Sequence, residues 1–90
     1  SRKYFKMNNI KKLKKVFFEV LNINNNLIND ETHYEGLNWD SLSHMALISS
    51  IEDCFDLMLD TDEIIELSTF KKAKEILSNH GVSFESNPKK

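Results

Sequence analysis

The stretch that decides the fold is NWDSLSHMALISSIEDCF, residues 38–55. Asp40 is a favoured N-cap residue, and its carboxylate suits the positive end of a helix dipole. We therefore predict a helix that begins after Asp40, with Leu42 and Met45 lying outside its inward-facing stripe. That stripe follows helical spacing and consists of Leu47, Ile48, Ile51 and Phe55.

Three further segments place apolar residues at helical spacing. A helix over residues 9–21 precedes the central one, and helices over 62–67 and 70–79 follow it. Gly81 then stands where a helix C-terminal glycine is expected. The sequence has only 2 Gly and 1 Pro, so it favours an all-α bundle of three longer helices and one short helix. The candidate N-caps of these three helices are Asn8 or Asn9, Asp60 or Thr61, and Ser68 or Thr69.

A long connection, residues 22–38, joins the first two helices. Three consecutive asparagines and Gly36 interrupt any continuous helix there. Connections in small domains are usually far shorter, so this one needs anchors. We expect an ordered crossover that is pinned to the core by Leu27, Ile28, Tyr34 and Leu37.

The chain of 90 residues fits one domain, which we place at residues 8–80. Residues 1–7 are expected to be a flexible lead, with Met7 as a candidate natural start, and residues 81–90 a flexible tail. No signal peptide or membrane insertion is expected, because the longest uncharged run is short and polar. The single Cys54 cannot form an internal disulfide, which favours a reducing cytoplasm.

Charge is distributed unevenly along the chain. Residues 1–20 contain seven Lys or Arg and one acid, whereas residues 21–70 contain eleven acids and no Lys or Arg. This acidic middle would repel nucleic acid and attract a basic protein surface. It argues against a helical DNA-binding domain that uses the lysine-rich first helix, because phosphate contacts need Lys or Arg at the recognition helix.

Catalytic and metal-binding interpretations have little support. The three histidines show no metal-ligand spacing with Cys54. Ser41 and His44 are three residues apart and could touch on a helix, but no buried acid at fixed spacing orients His44. A helix on the outside of so small a domain is also expected to offer no pocket. We therefore predict neither a catalytic residue nor a metal ligand.

Ser41 admits two interpretations. An Asp-Ser pair at a helix start is ordinary capping chemistry. Alternatively, apolar Leu42 and Met45 beside an exposed serine indicate a docking surface. Trp39 has two possible roles as well, since it either packs the loop against the core or forms part of a docking rim.

Residues 39–55, WDSLSHMALISSIEDCF, resemble the phosphopantetheine attachment motif of acyl carrier proteins. The downstream FDLMLDTDEIIELSTFKKAKEIL, residues 55–77, is similar to the segment that leads that family from its second helix through an acidic turn into its third and fourth. The resemblance covers roughly residues 8–80. It implies a helical carrier domain with three longer helices, one short helix and a long first loop.

The resemblance also implies roles for individual residues. Asp40, Ser41 and Leu42 match the family motif, so Ser41 is expected to bear 4′-phosphopantetheine on its Oγ. Glu52 and Asp53 match acidic positions that face partners, where Leu42 and Met45 would also make contact.

The implied function is that of an acyl or aminoacyl carrier, without enzymatic activity, that holds cargo as a thioester. A separate Mg²⁺-dependent phosphopantetheinyl transferase would attach the arm from coenzyme A. Loading enzymes and acyltransferases with basic docking surfaces would be the other partners of a monomeric carrier. Trp39 and His44 are unlike fatty-acid carriers and favour a specialised pathway, such as surface-glycan or amino-acyl modification. The alternative is an unmodified helical protein-interaction module.

Overall fold

The structure, a computed structural model, describes residues 8–33 and 39–84. Within these residues four α-helices form an all-α bundle, as the sequence predicts. The second helix starts directly after Asp40, which confirms the predicted beginning of the central helix. The helices are α1 (Asn9–Leu21), α2 (Ser41–Phe55), α3 (Thr61–Glu66) and α4 (Phe70–Asn79), and one 3-10 turn (Asn25–Leu27) lies between α1 and α2.

The N-caps of the other three helices are Asn8, Asp60 and Thr69. In each case the side chain accepts a hydrogen bond from the backbone N–H three residues later. Glu63 returns the bond to the backbone N–H of Asp60 at 3.0 Å, which completes a capping box. Because Asp60 is the cap, α3 begins at Thr61, one residue earlier than predicted. It also ends one residue earlier, at Glu66. Gly81 has a φ of 93°, which confirms its predicted place at the end of α4.

Three aromatic rings form the centre of the core. The ring of Phe17 in α1 packs edge-on against Trp39 at 5.2 Å and against Phe70 of α4 at 5.0 Å. Trp39 is only 1% exposed, so it packs the loop against the core and does not form a docking rim.

The inward face of α2 differs from the prediction at one end. Leu47, Ile48 and Ile51 are buried as expected, and Cys54 is the fourth buried residue of this helix. Phe55 is only half-buried, and its ring lies 6.2 Å from that of Phe84 at the edge of the core. Cys54 and Phe55 follow Ile51 by three and four residues, so both lie near its face and helical spacing does not distinguish them.

The crossover is ordered where the structure describes it. Ile28 is buried, as predicted. Leu27 is 56% exposed, so its prediction as a core anchor was wrong. It is the last residue of the 3-10 turn, which places its side chain in solvent and that of Ile28 in the core. Tyr34 and Leu37 lie outside the described residues.

Thr32 is the buried polar residue that fixes this crossover. Its hydroxyl donates to the carbonyl of Leu27 at 3.2 Å and accepts from the N–H of Asn29 at 3.0 Å. Its own carbonyl accepts from the N–H of Phe70 at 2.8 Å. The crossover is thereby fastened to the start of α4.

The predicted C-terminal tail is packed over its first part. Val82 and Phe84 lie against the core, and the Ser83 carbonyl accepts from the side-chain amide of Asn9 at 2.9 Å. The predicted lead, residues 1–7, and residues 85–90 lie outside the described part of the chain. No helix among the described residues is long and apolar enough to cross a membrane.

Candidate functional site

Ser41 is the first residue of α2, and its side chain is exposed. The cap of this helix comes from Asp40, whose Oδ1 accepts from the N–H of Ser43 at 3.0 Å. The Asp40 carbonyl accepts from the N–H of His44 at 2.8 Å, which begins the helical ladder. Asp40 is therefore the capping residue of α2, and helix capping does not explain why a serine occupies position 41.

The Asp40 carboxylate is held in its ionised form. The hydrogen bond from the Ser43 backbone N–H lowers the pKa of Asp40 below its ordinary value, and the Ser43 hydroxyl lowers it further. The carboxylate is consequently charged at neutral pH and complements the positive end of the α2 dipole.

Three exposed apolar side chains lie around Ser41. Leu42 is 80% exposed and Met45 is 57% exposed, as the sequence predicts. Ile65 of α3 is 72% exposed and was not identified as a site residue from the sequence. The available signal was the Ile64–Ile65 pair, because adjacent positions on a helix point to different sides and only one of them can face the core.

A groove of about 410 Å³ opens beside Ser41, between α2 and α3. The expectation that this helix offers no pocket was therefore wrong, because α3 packs beside the start of α2 and supplies the second wall. The lining residues are Ser41, His44, Met45, Ile64, Ile65, Leu67 and Ser68.

The imidazole of His44 is engaged by two groups from other parts of the chain. Its Nδ1 accepts from the indole Nε1–H of Trp39 at 2.9 Å, and its Nε2 lies 2.8 Å from the Ile64 carbonyl. The two rings are nearly parallel, with an angle of 22° between their planes and their centroids 5.9 Å apart, so they lie edge to edge along this bond. Within the described residues there is also no group of three or more metal-ligating side chains that could hold an ion. The two hydrogen bonds of His44 join Trp39 to α3 across the start of α2.

Comparison with known proteins decides the family. The family model described as "Phosphopantetheine attachment site" matches residues 11–77, which extend from the first turn of α1 to the last turn of α4. The chain belongs to the acyl carrier protein family. It is therefore a carrier that bears covalent 4′-phosphopantetheine, and it is not an enzyme.

Curated relatives agree with this assignment. The acyl carrier protein of Buchnera aphidicola subsp. Schizaphis graminum (strain Sg) is 33% identical over 75 residues, covering 81% of this carrier and 95% of that protein. The acyl carrier protein of Buchnera aphidicola subsp. Acyrthosiphon pisum (strain 5A) is also 33% identical over 75 residues, covering 81% and 94%.

The two acidic residues predicted to face partners have different environments in this carrier. Asp53 is exposed on α2. Glu52 is half-buried, and its Oε2 accepts from the N–H of Leu59 at 2.9 Å, in the loop between α2 and α3. Glu52 therefore stabilises that loop, whatever it contributes to docking.

Exposed acids cover the part of the carrier that contains α2 and α3. No Lys or Arg occurs between residues 21 and 70, so no lysine or arginine of these two helices offsets them. The exposed basic residues of the described chain lie on other helices, such as Lys11 on α1 and Lys71 on α4. The exposed acids of α2, α3 and the loop between them are Asp53, Asp56, Asp60, Asp62 and Glu66.

Proposed function

We propose that Ser41 is the residue that bears the 4′-phosphopantetheine arm, through a phosphodiester on its Oγ. The observation that supports this is the position of Ser41. It is exposed in the first turn of α2, a helix whose N-cap is already supplied by Asp40. It also lines an apolar groove. Backbone N–H groups and the dipole at a helix N-terminus favour a bound phosphate.

The arm ends in a thiol, which supplies the thioester chemistry once the arm is attached. This chain contributes the attachment point, the orientation of the arm and the surface that partners recognise. Cargo on a flexible arm has a raised effective concentration at each enzyme that docks on the carrier. We propose that this cargo is an acyl or aminoacyl group.

The partners we propose are a phosphopantetheinyl transferase, a loading enzyme and acyltransferases, each with a basic docking surface. Leu42 and Met45 supply exposed apolar contacts next to Ser41, and Asp53 and Glu52 supply negative charge farther along α2. Trp39 and His44 support a specialised pathway rather than fatty-acid synthesis. The single cysteine, Cys54, which is buried and free, supports a reducing cytoplasm as the setting for a monomeric carrier.

Transfer of the arm in vitro tests the assignment. Incubation of the unmodified carrier with coenzyme A, Mg²⁺ and a broad-specificity transferase should add the mass of one phosphopantetheine. Ser41→Ala should fold and add none. Ser68→Ala is the matched control, since Ser68 is an exposed serine of the same groove, and it should be modified like the wild type. Modification of the Ser41→Ala protein would show that another residue bears the arm.

A further inference from the structure

The hydrogen bonds of His44 define which of its nitrogens carries the proton. The indole N–H of Trp39 can only donate, so Nδ1 of His44 must accept. The Ile64 carbonyl can only accept, so Nε2 must donate to it. The neutral Nε2–H tautomer therefore satisfies both contacts at once, at 2.9 and 2.8 Å.

These two bonds connect three elements around the attachment serine. Trp39 directly precedes Asp40 and Ser41, and it is anchored in the core against Phe17 of α1. His44 lies one turn after Ser41 on α2 and lines the groove beside it. Ile64 belongs to α3, the opposite wall of that groove. We call the contact Trp39–His44–Ile64 the histidine brace.

The position of α3 depends on contacts with the rest of the fold, and some of these are hydrogen bonds from histidine side chains. The helix has six residues and none of them is fully buried. A helix of this length has no stability of its own in water, so tertiary contacts must hold it. Two of these contacts are polar and come from histidines: the brace, and the pair between Glu63 and His80 at 3.0 Å. Of these two, the brace is the one that reaches the helix that carries Ser41.

We propose that His44 is a positioning residue for the carrier's reactions: through the brace it holds α3, and with it the exposed Ile65, at a fixed place beside Ser41. Partners then meet a preformed surface on both sides of the serine. This inference rests on the proposed attachment of the arm to Ser41. Without the brace, α3 moves relative to α2 and docking becomes weaker, while Ser41 keeps its place in a helix that Asp40 caps.

Two substitutions separate the hydrogen bonds from the volume of the ring. His44→Phe keeps an aromatic ring but has neither the acceptor nor the donor. His44→Gln offers an amide oxygen to Trp39 and an amide N–H to Ile64. Ile76→Val is the matched control for general loss of stability, because Ile76 is a buried residue of α4 outside the groove.

The first readout is transferase kinetics at a temperature where every variant is folded. His44→Phe should raise KM for the carrier about tenfold with kcat within about twofold, since a docking contact is lost and the reacting serine is not displaced. His44→Gln should recover most of the wild-type KM, and Ile76→Val should leave KM unchanged. A wild-type KM in His44→Phe, or a Gln variant as impaired as the Phe variant, would overturn the proposal.

The second readout needs no transfer reaction. The protein has 1 Trp, so the Trp39 indole N–H gives one resonance in the NMR spectrum. In His44→Phe that resonance should shift, and the amides of α3 should exchange with solvent about tenfold faster than in the wild type. The α3 exchange rates should stay near wild type in His44→Gln, and both readouts should stay near wild type in Ile76→Val. If the wild type gains no arm at Ser41, the assignment of the serine fails, whereas unchanged α3 exchange in His44→Phe refutes the brace itself.

Discussion

Replacing Glu52 by alanine should destabilise the carrier, although this position matches one that faces partners. The carboxylate is half-buried and accepts from the N–H of Leu59, a residue that is itself buried. Hydrogen bonds to charged groups contribute about 1.5–3 kcal/mol, and partial exposure of Glu52 places its bond near 1.5 kcal/mol. For a domain of this size, such a loss lowers the melting temperature by about 6–12 °C. Thermal unfolding followed by circular dichroism at pH 7 measures this shift.

Two variants serve as controls for that measurement. Glu52→Gln keeps an acceptor for the Leu59 N–H and should lose about half as much. Asp53→Ala removes a neighbouring exposed acid and should melt within about 2 °C of the wild type, since most surface substitutions change stability little. Equal melting temperatures for Glu52→Ala and Asp53→Ala would refute the reasoning. Because Glu52 is bonded to Leu59, Asp53 is the one of these two acids whose substitution tests docking without also disturbing the fold.

Three further outcomes are expected. Asp53→Lys should lower the transferase kcat/KM about threefold at low salt, and this difference should vanish at high salt. The defect of Leu42→Ala should persist at high salt because its contact is apolar. An Asp53→Lys defect that does not depend on salt would contradict the electrostatic role of Asp53. Cys54→Ala should lose about 1 kcal/mol of stability because the side chain is buried, yet it should accept the arm at the wild-type rate. Burial raises the pKa of the Cys54 thiol, so thiol reagents should label the folded wild type slowly. The His80 contact, followed by the Asp60 N–H, lowers the pKa of Glu63, so its stabilisation is present above the ordinary value of 4.5 and is lost as pH falls through the lowered pKa. Glu63→Gln should therefore melt below the wild type at pH 6, and the gap should close as the pH falls below 4.5 and through the lowered pKa of Glu63. A gap that stays constant as the pH is lowered would count against the contact.

The helices could be predicted from sequence because their determinants are local. Apolar spacing identifies each helix, and a capping residue fixes each start within one or two positions. Asp40 is the decisive case, since a favoured N-cap residue at that position makes Ser41 the first residue of α2. The attachment motif could be recognised for the same reason, because it is contiguous in the sequence.

Contacts across the fold could not be predicted in this way. His44 and the Ile64 carbonyl are 20 residues apart, and their meeting depends on how α3 packs on α2. Glu52 reaches Leu59 across the end of a helix, so helical spacing does not reveal the bond. The groove beside Ser41 and the exposure of Ile65 follow from the same packing.

One irregular segment shows a second limit. In the crossover, Leu27 and Ile28 are adjacent and equally apolar, and no periodic pattern there indicates which of them faces the core. The end of α2 poses the same difficulty, where Cys54 is buried and Phe55 lies at the edge. Which of two adjacent apolar residues is buried depends on where the backbone turns, and the local sequence does not specify that.

The central claim is that Ser41 bears the phosphopantetheine arm, and mass spectrometry of the protein purified from its native host tests it most directly. The intact mass should exceed that of the bare chain by one phosphopantetheine plus any cargo, and fragmentation should place the added group on Ser41. An arm located on any other residue, or a native protein that carries no arm at all, would contradict the account.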